Sequence, residues 1–206
     1  MTTPAPILLH GTKLSGHVHR VELLLRMLGL PFEFVPAPAD VRSSDAFRQR
    51  NPLGQIPVLQ DGALTLADSN AILVYLATRY APGSSWLPQD AVGAAQVQRW
   101  LSIAAGEVMY GPASARALAQ WGMPCDAARA ALVAARLLNF MENHLAAHDY
   151  LAAPHATIAD LACYAYVRHA PEGGIALDGL PALHAWFARV EALPNFMAMP
   201  SSPIPS

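Results

Sequence analysis

The sequence predicts a mixed α/β unit followed by an all-α unit, and three observations carry that expectation. Short β-rich runs alternate with helical periods up to residue 80. A Pro-, Gly- and Ser-rich stretch, APGSSWLPQD, occupies residues 81–90. After it strand signals vanish and alanine-rich helical patterns take over. The expected division is therefore an α/β domain at 1–80, a linker at 81–90 and a helical domain at 91–206.

Ile7 to His10 is a short apolar strand, and the loop GTKLSG follows it. From His17 a helical period begins, with Val18, Val21, Leu25 and Leu28 on one stripe. Gly29 ends that helix, and PFEFV is the next strand. The connection PAPADVRSSDAFRQR has room for one helical turn around Phe47. The segment Asn51 to Ser69, NPLGQIPVLQDGALTLADS, then reads as turn, strand, hairpin, strand and helix start. A helix from Ser69 to about Arg79 carries Ile72, Leu76 and Tyr80 on one face. The right-handed crossover rule makes the first strand, helix and strand a parallel unit. With the hairpin added this is the thioredoxin-like order, a mixed four-stranded sheet with helices packed on it.

The helical half starts with a long helix from about Val92 to Ala119, with a bend expected near Gly111-Pro112. Gly122 and Pro124 break the chain before a helix from about Asp126 to His148, where Leu137, Met141 and Leu145 share a face. The loop HDYLAAPHA leads to a nearly charge-free helix from Ile158 to about His169. After the turn-rich PEGGIALDGLP, a last helix from Pro181 to about Leu193 carries Leu183, Phe187 and Val190. The tail MAMPSSPIPS is too proline-rich to continue it, and the chain has no internal repeat.

Composition narrows the function classes. The 206 residues are 53% hydrophobic and 14% charged, which provides ample core and argues against disorder. No run of 18 apolar residues occurs, because Arg20, Arg26, Arg99 and Arg136 interrupt the greasiest stretches. MTTPAPILLHG lacks the basic start and long apolar segment of a signal peptide, so a cytoplasmic protein is expected. A net charge of −2 without a basic run disfavours nucleic acid as a partner, and no membrane partner is expected. Cys125 and Cys163 lie too far apart for a CxxC pair and read as reduced thiols. The eight histidines show no HExxH spacing, so no metal site is expected.

Three groups of residues could carry chemistry. Pro57 begins a strand without an N–H for the ladder, which suits an edge or a forced bend, a cis Ile56–Pro57 bond being one way to make it. Such a bend would leave the main-chain groups of Ile56 free to pair with an extended peptide. Farther on, Asp68-Ser69 stands where a helix begins: Ser69 can cap it beside free N–H groups that suit an anion, and Asp68 offers a carboxylate to an amine. Together these would hold a small zwitterionic peptide. Ser15 precedes the first helix and is by itself a good cap or a hydroxyl donor.

NPLGQIPVL, ADSNAI and the upstream LSGHVHRV, in this order and spacing, resemble the glutathione-binding half of the cytosolic glutathione transferase family. The resemblance continues through ATIADLACYAYV and LHAWFARVEALPNF and covers essentially the whole chain, which looks like a serine-type, bacterial-like member. It implies an enzyme that conjugates the glutathione thiolate to a small hydrophobic electrophile, as a homodimer, with detoxification as its setting. In serine-type members a serine five residues before an Arg-Val pair donates its hydroxyl to the glutathione sulfur, and Ser15 stands so before Arg20-Val21. A thiol of pKa about 8.5 is lowered by such donors and by a helix N-terminus, at about 1.4 kcal/mol per unit. No cysteine precedes Cys125 and no tyrosine precedes Tyr75, which excludes the variants that depend on those residues. The neighbours Lys13, His17 and His19 read as solvated loop residues.

By the same resemblance Gln55, Ile56, Asp68 and Ser69 bind glutathione, and Arg42 is the choice among Arg42, Arg48 and Arg50 for the glycyl carboxylate. The family usually has Glu-Ser where this chain has Asp68-Ser69, an arm one methylene shorter. Thr157 and Asp160 match the family's capping box and are structural, as is Pro57. Met109, Tyr110, Arg116 and Trp121 would line the second-substrate pocket, and Ser102 and Glu107 would face a partner subunit. Two other readings stand beside conjugation. The same thiolate serves a glutathione-dependent isomerase, dehalogenase or peroxidase, and a non-catalytic scaffold could keep the fold.

Overall fold

The computed structural model describes residues 6–205. Strand β1 (Ile7–Gly11) is followed by α1 (Gly16–Met27) and β2 (Phe32–Pro36). Two short helices, α2 (Ala39–Ser43) and α3 (Asp45–Arg48), fill the connection in which one turn was expected. The hairpin β3 (Val58–Asp61) and β4 (Leu64–Ala67) leads into α4 (Ser69–Tyr80). The four strands lie in the order β2-β1-β3-β4, with β1 parallel to β2 and the other pairs antiparallel. This is the mixed sheet of a thioredoxin-like domain.

Local chemistry accounts for the turns. Gly62 opens the hairpin loop at φ 58°, the mirror-type turn whose twist matches that of the strands. Asp61, just before it, accepts the Tyr75 hydroxyl at 2.6 Å and that of Tyr80, fastening the hairpin to α4. Because side chains alternate across a strand, Leu59 enters the main core with Leu9, whereas Val58 meets Ala37 and Phe47 on the opposite face.

The helical half contains α5 (Ala91–Ile103), a π-helical segment (Ala104–Ala113) and α6 (Ser114–Trp121) as one continuous rod, then α7 (Ala127–Leu145), α8 (Ile158–Arg168), a 3₁₀ turn (Ala170–Gly173) and α9 (Pro181–Glu191). The expected irregularity near Gly111-Pro112 is thus a run of i→i+5 geometry. Pro112 has no N–H to give, and Ser114 Oγ donates to the Met109 carbonyl at 2.8 Å. No helix among the described residues is long and apolar enough to cross a membrane.

The capping box of α8 forms as expected. Thr157 Oγ1 accepts from the Ala159 N–H, and the Thr157 N–H donates to Asp160 Oδ2 at 2.9 Å. Asp160 is fully buried and also accepts from the Leu151 N–H and the Trp186 indole. Burial pushes its carboxyl above the usual aspartate range, against the bonds that favour the charged form. A single apolar cluster runs from Ile7, Leu9 and Leu24 of the α/β half to Trp100, Leu161 and Val190 of the helical half, with α1 packed on α8.

Candidate active site

Sheet register brings the expected site residues to one edge. His10, near the end of β1, pairs with Val58, the first residue of β3, and Val58 pairs with Ala67, the last residue of β4. The loop carrying Ser15, the cis Ile56–Pro57 bond and the Asp68-Ser69 pair therefore leave the sheet side by side. The ladder starts at Val58, so Ile56 has no strand partner.

Ser15 caps α1, its Oγ accepting the Val18 N–H at 3.4 Å. That long bond uses a lone pair, and the hydroxyl proton has no acceptor among the described residues. Capping and donation to a ligand are thus compatible at one oxygen. The bend before β3 is organised by the buried Asn51. Its amide donates to the Gln55 carbonyl at 2.9 Å, and its side-chain oxygen accepts the Leu53 N–H. Gln55 is exposed beside it. Arg42 borders the same turn, where a β-carbon on Gly54 would come 3.3 Å from the Arg42 carbonyl oxygen. The Arg42 Nε is buried and has no hydrogen-bond partner among the described residues.

At α4 the structure corrects one expectation. Asp68, not Ser69, is the cap: its carboxylate accepts the Asn70 and Ala71 N–H groups at 3.0 and 2.9 Å. It does so at φ 72°, ψ 118°, a conformation that costs a non-glycine residue about 1–3 kcal/mol. Ser69 is left inside the helix and buried, where its Oγ accepts from Arg20 Nη1 at 3.2 Å and lies 3.4 Å from His17 Nδ1. Arg20 also donates to Asn70 Oδ1 at 2.9 Å, while its Nε and Nη2 are buried and have no partner among the described residues.

Loop neighbours expected to be solvated are held by the protein instead. Lys13 Nζ sits 2.9 Å from the buried Glu22 and over the Phe34 ring. His19 is buried and bonded to the Met197 carbonyl. His17 stands edge-on to Tyr166, with ring centroids 4.9 Å apart. Burial, then the Arg20 charge, pushes the His17 imidazole down to about 3, so it is neutral at physiological pH.

The expected second-substrate residues divide. Met109, Tyr110 and Trp121 are 37%, 65% and 49% exposed. Tyr110 helps to line a hollow of about 430 Å³ with Ser114, Cys125 and Arg129 between α6 and α7. Arg116 departs from the expectation: it is 1% exposed, paired with Glu172 at 2.6 Å and stacked 4.9 Å from the Trp121 ring, so it is part of the frame, not a pocket wall. Burial works against the Glu172 carboxylate, but bonds from His169, Ser202 and Arg116 outweigh it and hold the group below the usual glutamate range.

Comparison with known proteins identifies the family. The family profile described as "Glutathione S-transferase, N-terminal domain" matches residues 9–85, and that described as "Glutathione S-transferase, C-terminal domain" matches residues 126–194. Glutathione S-transferase 3 of Zea mays is 34% identical, over 98% of this chain and 98% of its own length. The chain belongs to the glutathione S-transferase family. Among solved relatives, a glutathione S-transferase from Pseudomonas fluorescens superimposes with a TM-score of 0.86 at 32% identity, covering 95% of this chain and 99% of that one. A theta-class glutathione S-transferase from Xanthomonas axonopodis pv. citri, solved with glutathione bound, gives 0.82 at 28% identity, over 94% and 95%.

The residues beside the candidate site that sequence reasoning missed in this glutathione S-transferase are Arg20, which donates to Ser69, and Asn70, which accepts a second bond from Arg20. The signal for Arg20 was available: an arginine amid the apolar periodicity of α1 must find a buried partner.

Proposed function

We propose that the chain conjugates glutathione to a small hydrophobic electrophile, with the Ser15 hydroxyl stabilising the glutathione thiolate. One observation carries this reading: Ser15, Ile56 and Asp68-Ser69 leave the sheet at one edge, and the Ser15 proton has no acceptor among the described residues. In this reading Ile56 pairs with the peptide backbone, Gln55 and Arg42 take the glycyl end, and Asp68 and Ser69 take the γ-glutamyl end. The glutathione bound by the Xanthomonas relative supports it. The thiol proton leaves to solvent and the Ser15 O–H donates to the sulfur. The sulfur lone pair then forms a C–S bond as the leaving group departs with its electrons.

Met109, Tyr110 and Trp121 are placed around the electrophile. The same reading includes a homodimer that uses Ser102 and Glu107, and a reducing cytoplasmic setting that suits Cys125 and Cys163. Glutathione-dependent isomerisation would use the same thiolate. The test is conjugation of a chlorinated nitrobenzene by wild type and Ser15→Ala across pH. A lost hydrogen bond to a charged atom predicts a fall in kcat/KM at neutral pH of roughly 10–100-fold. Full activity in Ser15→Ala would overturn the assignment.

A further inference from the structure

Arg116 joins three parts of the molecule at one buried point. Its Nε donates to Glu172 Oε2 at 2.6 Å, its Nη1 to the Leu14 carbonyl at 2.8 Å and its Nη2 to Ser202 Oγ at 3.1 Å. The other oxygen of Glu172 lies 2.6 Å from His169 Nδ1 and accepts the Ser202 N–H at 2.9 Å. Gln120 Nε2 donates to the carbonyls of Glu172 and Pro203, both at 2.7 Å. The 3₁₀ turn can lie so close to α6 only because Gly173 has no side chain: a β-carbon there would fall 2.5 Å from the backbone nitrogen of Arg116. The C-terminal tail, the turn after α8 and α6 thus converge on the carbonyl of Leu14, the residue before Ser15.

We infer that Arg116 is a positioning residue for the reaction, fixing the Leu14–Ser15 peptide plane and so the direction of the Ser15 hydroxyl, with the tail at Ser202 as part of the same clamp. The inference rests on the reading of Ser15 proposed above. Burial of an ion pair is weak evidence for stability, because an apolar cluster of the same volume holds a fold equally well. What the guanidinium adds is direction, with three donors in a rigid plane sent to three different segments. Rotation of the Leu14–Ser15 plane would carry Oγ with it, and misplacement by about 1 Å costs catalysis heavily. The rest of the loop is braced independently. A β-carbon on Gly16 would lie 2.9 Å from the Tyr166 ring, and Lys13 is tied to Glu22. Arg116 alone among these ties connects the loop to the tail.

The experiment is a double-mutant cycle of Arg116→Lys with Ser15→Ala, read as kcat/KM across pH, KM for glutathione and Tm. Lysine keeps the charge but cannot send donors in three directions. The expected result is a fall in kcat/KM at neutral pH of between about fivefold and a hundredfold. The rising limb of the pH profile should move to higher pH, with KM for glutathione within about twofold, and the effect should vanish in the Ser15→Ala background. An equal loss in both backgrounds, or an unmoved pH limb, overturns the inference while leaving Ser15 in its role. Full activity of Ser15→Ala alone overturns the Ser15 reading, and the inference with it. If Arg116→Lys does not fold, Ser202→Ala leaves the ion pair intact and decides by the same cycle. A shifted limb that depends on Ser15 supports the clamp, and an unshifted one refutes it.

Discussion

The carboxylate of Asp160 accepts the indole N–H of Trp186 at 2.9 Å, which ties the first turn of α8 to the buried face of α9. Asp160→Ala would leave that indole and the Leu151 and Thr157 N–H groups without their acceptor, at a cost of at least about 2 kcal/mol. Denaturant melts should show the loss, while the protein that remains folded keeps the wild-type pH profile. A shifted profile would give Asp160 a role in chemistry.

Asp68 combines a cap with a charge, and the two can be separated. Asp68→Asn keeps an acceptor for the Asn70 and Ala71 N–H groups and suits a positive φ, so Tm should change little. The lost charge should raise KM for glutathione about fivefold, a partly screened contact of about 1 kcal/mol, with kcat nearly unchanged. An unaltered KM would remove Asp68 from the binding site.

Acid should destabilise the fold through its buried histidines. Burial pushes His17 and His19 down to about 3 and about 4 from 6.5. The unfolded chain therefore takes up protons first, and stability falls as pH drops from about 6.5 toward those values, by up to about 1.4 kcal/mol per pH unit for each group. Glu22 and Glu172, held below 4.5, add to the loss only at lower pH. Calorimetry should show Tm falling between pH 7 and pH 5, and His17→Phe should flatten that limb. A variant as acid-sensitive as wild type would contradict the account.

The two thiols should differ sharply. Cys163 is fully buried and burial pushes its thiol up to about 12, whereas Cys125 is partly exposed. An aromatic disulfide reagent should titrate one thiol in the native protein and both after denaturation, and none in native Cys125→Ser. A fast second native thiol would show that α8 opens readily.

Much of this was legible in the residues, for identifiable reasons. The stripe of Val18, Val21 and Leu25 located α1, and the turn signals at Asn51 and Asp61-Gly62 bracketed β3. The cap of α4 was less accessible, because Asp68 and Ser69 are both good caps and the choice depends on β4 ending at Ala67. Arg116 was assigned to the pocket by resemblance alone, and what buries it is a set of partners on other segments, Glu172 foremost. Tertiary partners such as Leu14 and Ser202, distant in sequence, leave no local trace.

The continuous apolar cluster that runs from Leu9 through α1 and α8 to Val190 makes the compositional boundary at 81–90 a seam in the gene product rather than a thermodynamic hinge. A protease that nicked that connector would yield two fragments still clasped together. Expressed apart, each piece would present a bare greasy wall to water and would be expected to clump instead of holding its native shape.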